Sequence, residues 1–253
     1  MDFSKLSYRS FVGRLVRLPL RLIPKRAVFP ILQGKLRGKK WVVGAGEHGY
    51  WLGSYELQKR RAFEREIGPS EVFYDIGANV GFYSLLAAHL TGPGGKVYAF
   101  EPLPRNVEYI RKHMALNQIE HAVVYEAAVA HQGGEVRFDP GASIATGHLS
   151  ETGTVKVRQV SLDDLYAAGK ILPPNTMKID VEGAEYAVLR GAEYIIDAFQ
   201  PLIFLDTHGR DAHELTIRFL KDHGYQFEVL DGRPLEASKE LIARPQLSEP
   251  ESQ

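Results

Sequence analysis

The segment VFYDIGANVGFYS, residues 72–84, sets Asp75, Gly77, Asn79 and Gly81 directly behind a short apolar run. A structural turn needs one glycine or two. An acidic residue at a strand end, with small residues spaced beyond it, opens the backbone for a ligand. The spacing then discriminates among ligands. A dinucleotide turn wants G-x-G-x-x-G, so that backbone meets a pyrophosphate, but here Gly77 and Gly81 enclose Ala78, Asn79 and Val80. The next run, KVYAFEP, ends on Glu101 and Pro102. A carboxylate at that strand end can take both hydroxyls of a ribose. A ribose without a pyrophosphate describes an adenosine carrying an amino-acid sulfonium, S-adenosyl-L-methionine. The alternative is a tight strand-to-helix turn with no ligand.

A second group of charged residues sits in NTMKIDVEG, where Lys178 and Asp180 are two apart and share one face of a strand. A central parallel strand is buried, and a buried charge needs a partner. Two readings stand: Lys178 pairs with Asp180 or Glu182, or Asp180 lies at the strand's carboxyl end beside the transferring methyl. Glu182 and Glu185 fall where a helix begins, so its dipole accounts for both. Asp180 and Glu182 are taken as site residues, Glu185 as structural.

If such a sulfonium gives its methyl to a hydroxyl, the reaction needs in-line placement and an acceptor for the proton. His208, after PLIFLD, is the best-placed titratable group; a hydrogen-bonded loop histidine is the competing reading. DTHGRDAH also sets out Asp206, His208, Asp211 and His213, residue types that hold Mg²⁺ or Mn²⁺. Asp211 and His213 fit a helix start better, and no metal is expected. Glu126, with Ala127, ends the third strand where it could accept the adenine amino hydrogens, or it is a surface glutamate. Upstream, HGYWLGSYE is either a lid with Tyr55 and Glu56 nearest the cofactor, or aromatic packing on the first strand.

These residues need a frame. Between residues 72 and 230, strand-like runs alternate with helical patterns, which implies parallel strands with helices on both faces. The alternation breaks at residues 129–160, where GEVRFDP and TVKVRQV read as a hairpin around GASIATGHLSETG. Residues 1–70 are expected to form a basic arm and a small strand-and-helix lid unit. Residues 71–246 form the cofactor-binding domain, and 247–253 a disordered tail.

The chain has 253 residues, 44% of them hydrophobic, and no cysteine. Disulfides, thiolate metal sites and a cysteine nucleophile are thereby excluded, and a reducing cytoplasm is the expected compartment. Net charge is zero, but residues 1–40 hold eleven Lys or Arg against Asp2 alone, so 20 basic and 30 acidic residues are left for the rest. A body that acidic is a poor binder of nucleic acid. No apolar run approaches the ~20 residues of a membrane span. FVGRLVRLPLRLIP lacks the uninterrupted core of a signal peptide. Its arginines and apolar residues suit peripheral contact with an anionic membrane; the alternative is an arm folded onto its own acidic body.

Taken together, DIGANVGFYS, AFEPLPRNVEYIRKHMALN, VSLDDL, MKIDVEGAEYAVLRGA and PLIFLD closely resemble the FkbM-type S-adenosylmethionine-dependent methyltransferases, in order over roughly residues 50 to 210. The resemblance implies a class I methyltransferase fold: a Rossmann-like α/β architecture with a mostly parallel seven-stranded sheet, here with a β-hairpin insertion. It implies O-methylation of a sugar, glycan or natural-product hydroxyl, with a catalytically inactive binding domain as the alternative. The expected cofactor set is Tyr55, Glu56, Asp75, Gly77, Ala78, Asn79, Gly81, Glu101, Pro102, Asn106, Glu126, Ala127 and Asp180. The expected catalytic set is Asp180, Glu182 and His208. After the fifth strand the family pattern usually shows Glu-x-His, whereas this chain has Asp206-Thr207-His208, which keeps the histidine and shortens the carboxylate.

Overall fold

The protein is described by a computed structural model over residues 23–139, 148–149 and 155–246. A hairpin of β1 (Val28–Pro30) and β2 (Lys40–Val42) precedes two helices, α1 (His48–Leu52) and α2 (Leu57–Glu66). Alternation follows through β3 (Val72–Ile76), α3 (Phe82–Thr91), β4 (Lys96–Glu101), α4 (Pro104–Leu116) and β5 (Ala122–Glu126). The interruption comprises β6 (Ala128–Val129), β7 (Gly134–Asp139), β8 (His148–Leu149) and β9 (Val155–Val160). After α5 (Leu162–Ala167) come β10 (Thr176–Ile179), α6 (Glu185–Arg190), α7 (Glu193–Phe199), β11 (Leu202–Asp206), α8 (Arg210–Asp222), β12 (Tyr225–Val229) and β13 (Glu240–Pro245).

Seven strands form the central sheet in the order β12-β13-β11-β10-β3-β4-β5. Only β13 runs against its neighbours, antiparallel to both β11 and β12. Strand order reverses between β3 and β10, the place where such sheets open a crevice at their carboxyl ends. The register there sets Lys178 beside Asp75 and Ile179 beside Ile76. This is the expected class I methyltransferase architecture.

Side-chain alternation fills both faces. Phe73, Val97 and Ala99 join Trp41, Phe63, Phe82 and Leu85 in one core, while Tyr74, Ile76, Tyr98 and Phe100 join Met177, Leu189 and Ile196 in the other. The first core includes the upstream hairpin and α2, so those elements pack directly on the sheet.

The VSLDDL motif is structural. Ser161 caps α5 by accepting from the Asp164 N–H at 3.2 Å, and the Asp163 carboxylate accepts from the N–H groups of Tyr194 and Ile195 at 3.0 and 3.1 Å. These are orphan donors at the start of α7.

Three features differ from the sequence reading. The expected upstream helix is two helices, because Gly53 at φ 73° ends α1 and Glu56 at φ 39° precedes α2. The third strand, expected to end on Glu126 with Ala127, stops at Glu126, and β6 leaves the main sheet to pair with β9. The hairpin of β7 and β9 is present, and with β6 and β8 it forms a second sheet, β6-β9-β7-β8. The basic segment 1–22, most of the GASIATGHLSETG loop and the tail 247–253 lie outside the described residues. No helix among the described residues is long and apolar enough to cross a membrane.

Candidate active site

A cavity of about 300 Å³ opens at the carboxyl ends of β3, β4, β10 and β11. One end is built around Glu101. Its Oε1 accepts from the Leu103 N–H at 3.0 Å and from Asn106 Nδ2 at 3.1 Å, and its Oε2 from the Asn79 N–H at 2.9 Å. Asn79, at φ 50°, points its N–H inward, and Gly77, at φ 77°, lets the two strand ends approach: a Cβ there would collide with the Asp180 carbonyl oxygen. Burial pushes the Glu101 carboxyl up to about 7, against the three hydrogen bonds that favour its charge.

The floor is a network of charges. Lys178, buried in β10, lies 3.0 Å from Asp180 Oδ2 and 3.9 Å from Asp75 Oδ1. The pairing weighed from sequence is therefore present. Asp75 is fully buried, and its Oδ2 accepts from Ser84 Oγ at 2.5 Å. Burial raises its pKa against the pull of Lys178. Burial also opposes the charge on Asp180, but Lys178 and Lys59 more than offset it and hold Asp180 below the usual carboxylate range. From α2, Lys59 places Nζ 2.9 Å from both oxygens of Asp206 and 2.7 Å from Glu56. Burial and the neighbouring charge of Asp180 push Asp206 up to about 7, against Lys59. Tyr83 completes the network, its hydroxyl donating to Glu56 at 2.9 Å. Carboxylates outnumber ammonium groups here, which suits a ligand bearing positive charge.

At the cavity's other end His208 follows β11. Its Nδ1 lies 2.8 Å from Oε1 of Glu185, which is fully buried in the first turn of α6 and also accepts from the Gly183 N–H at 3.0 Å. Nδ1 therefore carries the hydrogen and Nε2 keeps its lone pair. Nε2 faces Glu182 at 3.7 Å and Asp180 at 4.0 Å. The Glu185 hydrogen bond raises the His208 pKa over the opposing effect of burial.

Of the residues expected from sequence, Tyr55, Glu56, Gly77, Asn79, Glu101, Pro102, Asn106, Asp180, Glu182 and His208 line this cavity. Tyr55 also packs on Tyr50 and Phe82 at 4.2 and 5.4 Å, so lining and packing are both true of it. Ala78 borders an adjoining smaller recess, and Asp75 lies beneath the floor. Gly81 caps α3 against Ile110. Glu126 is not brought to the cavity: its exposed side chain lies 3.9 Å from Arg111, Ala127 is buried behind it, and Ala128 and Val129 form the wall instead. Asp211 and His213 fall in the first turn of α8, where His213 Nδ1 is 2.8 Å from Thr207 Oγ1. Sequence reasoning missed Lys59, the role of Glu185, and Lys239 and Glu240 at the start of β13.

Residues 75–227 match the family model described as the Methyltransferase FkbM domain. The chain belongs to the FkbM methyltransferase family. It is 30% identical to the 31-O-demethyl-FK506 methyltransferase FkbM of Streptomyces tacrolimicus, over 70% of this chain and 80% of that protein. It is 25% identical to the hexuronic acid methyltransferase AglP of Haloferax volcanii, over 62% of this chain and 64% of that one. A crystal structure of methyltransferase FkbM from Methylobacillus flagellatus KT is similar at 17% identity and a TM-score of 0.49, over 78% of this chain and 53% of that chain. The chain thus spans just under two thirds of one curated relative and about half of that structure. The family model is that of a methyltransferase domain, for which the sequence reading expects S-adenosylmethionine as cofactor.

The residues present fit that cofactor. Glu101 has three protein donors and one lone-pair site left, on Oε2. Beside it, Asn106 Oδ1 is buried without a hydrogen-bond partner. A ribose offers two hydroxyl donors to these two acceptors. Leu103, Ala128 and Val129 supply an apolar wall for a purine.

Proposed function

We propose that this FkbM-family chain is an O-methyltransferase acting on a hydroxyl of a sugar, glycan or natural-product acceptor. Glu101 and Asn106 would hold the ribose of S-adenosylmethionine, and the acidic floor would face its sulfonium. When bound, the cofactor supplies an electrophilic methyl group on a positively charged sulfur. The observation that carries the reading is His208 Nε2, freed by Glu185 and directed into the cavity whose other end is Glu101. Nε2 would take the acceptor hydroxyl's proton as the acceptor oxygen gains the methyl and the sulfur–methyl bond breaks, which leaves S-adenosylhomocysteine. Asp180 and Glu182 then neighbour the imidazolium and stabilise its charge. Two of the curated relatives are named for methyl transfer to a hexuronic acid and to 31-O-demethyl-FK506, which supports the acceptor class.

A second reading rests on one observation. Ligand atoms of Asp180, Glu182 and His208 all lie within 4.8 Å of one another, the convergence a divalent cation would use to bind and acidify the acceptor hydroxyl. Chelation separates the two. The proposal itself is tested by incubating the protein with methyl-labelled S-adenosylmethionine and a panel of uronic acids, neutral sugars and macrolides. Label transfer that falls by about 10²–10⁴-fold in His208→Ala supports it. Cofactor binding with no transfer to any acceptor would leave a binding domain, the alternative reading.

A further inference from the structure

The upstream hairpin presents exposed apolar residues that the proposed methyl transfer does not use. Among the described residues only five large apolar side chains are exposed, and three of them are neighbours: Val28 at 41%, Phe29 at 36% and Leu32 at 47%. All three residues of β1 are exposed, although its partner β2 is mostly buried. Val28 and Phe29, successive in the strand, leave it on opposite sides, so this short hairpin shows apolar surface on both.

Its charged surroundings have one sign. Lys25, Arg26, Lys35 and Arg37 are exposed, and the turn between the strands folds back so that Gly38 N–H donates to the Ile31 carbonyl at 2.8 Å. None of these four side chains has an acidic partner among the described residues. There is no Asp or Glu anywhere from residue 3 to residue 46. From the acidic body Glu64 reaches the Lys35 backbone N–H at 3.4 Å, and its charge is paired with Arg60. Directly before it the sequence continues with further arginines interleaved with apolar residues.

We propose that Val28, Phe29 and Leu32, framed by these cations, are a docking surface for an anionic phospholipid bilayer. Aliphatic side chains gain free energy at the boundary of headgroups and acyl chains, and the cations gain it from the headgroup phosphates. Nucleic acid would use the same cations, but a phosphate backbone offers nothing to Val28 and Leu32. The patch is joined to the cavity wall. The Phe29 ring lies 5.6 Å from Trp51 in α1, Leu32 N–H donates to the Trp51 carbonyl at 2.9 Å, and α1 leads to Tyr55.

The test is co-sedimentation of the full chain with phosphatidylcholine vesicles, with and without about a third phosphatidylglycerol, at low and high salt. The full chain should pellet with the anionic vesicles only and be released by salt. Val28→Ser/Phe29→Ser/Leu32→Ser, with its circular dichroism unchanged, should lower partitioning by about tenfold or more, as should Lys25→Glu/Arg26→Glu. S-Adenosylhomocysteine binding by both variants should match wild type, which separates loss of docking from loss of fold. Failure of the full chain to pellet overturns the proposal. So does full binding by the triple serine variant, and so does a duplex oligonucleotide that binds as tightly and whose binding ignores the serine substitutions.

Discussion

Nδ1 of His208 and Oε1 of Glu185 lie 2.8 Å apart, and the glutamate has no solvent exposure. This pair fixes which ring nitrogen is free and lifts the imidazole's pKa. As a base His208 works when neutral, so the rate should rise with pH through a pKa above the ordinary value of 6.5. Glu185→Gln removes the largest upward influence. It should move that rising limb to lower pH and reduce turnover by about 10²-fold, with cofactor affinity near wild type. A pH–rate profile checks this; an unmoved limb would show that the titrating group is not His208.

Lys59 should matter for stability as well as for the shape of the site. It is the counterion of Asp206 and Glu56 together. Lys59→Met strands both carboxylates and should cost about 3–5 kcal/mol. Lys59→Met/Asp206→Leu should recover much of that loss, because a buried pair replaced as a unit is nearly neutral. Urea denaturation of both variants is the measurement, and a single variant as stable as wild type would contradict the network.

The parts of this site that were legible in sequence are those where a residue contradicts its surroundings. Asp75 and Lys178 stand out because a buried parallel strand is otherwise apolar, and Gly77 and Asn79 because their turn needs positive φ. Lys59 was not legible: LQKRRAFERE reads as a solvated helix, and only the packing of α2 buries two of its cations, Lys59 and Arg60. Glu126 and Val129 illustrate the same limit. Nothing local says that the chain changes sheets at Ala127, since the pairing of β6 with β9 decides it. The strand β13 ends in proline and follows an irregular loop, so its insertion between β11 and β12 is a tertiary choice.

His113 sets an acid limit on the fold. It is fully buried, stacked on Trp41 at 3.7 Å, with Nδ1 3.0 Å from the Val80 carbonyl and Nε2 accepting from the Val42 N–H at 3.2 Å. Burial lowers its pKa to about 4. The unfolded chain therefore takes up the proton near 6.5 and the folded chain near 4. The neutral ring's contribution is complete above about 6.5 and is lost as pH falls through that window, amounting to about 3 kcal/mol. Denaturation at several pH values should show this slope in wild type and lose it in His113→Gln; parallel slopes would refute it.

Chelation should leave the reaction intact. With His208 as the base, EDTA has nothing to remove from Asp180, Glu182 and His208. Loss of activity on chelation, restored by Mg²⁺ or Mn²⁺, would make those three residues ligands and replace the base mechanism with metal-assisted deprotonation.

Cofactor binding depends on Glu101 as the ribose anchor, and calorimetric titration with S-adenosylhomocysteine reads it without knowledge of the acceptor. Ribose hydroxyls donate to the ionised carboxylate, whose pKa in the free protein is raised to about 7. Affinity should therefore rise with pH between about 6 and 8, with proton release on binding. Glu101→Ala should weaken binding by about 1.5–3 kcal/mol and flatten that dependence. Wild-type affinity in a folded Glu101→Ala variant, or no binding of S-adenosylhomocysteine by the wild-type protein, would contradict the account.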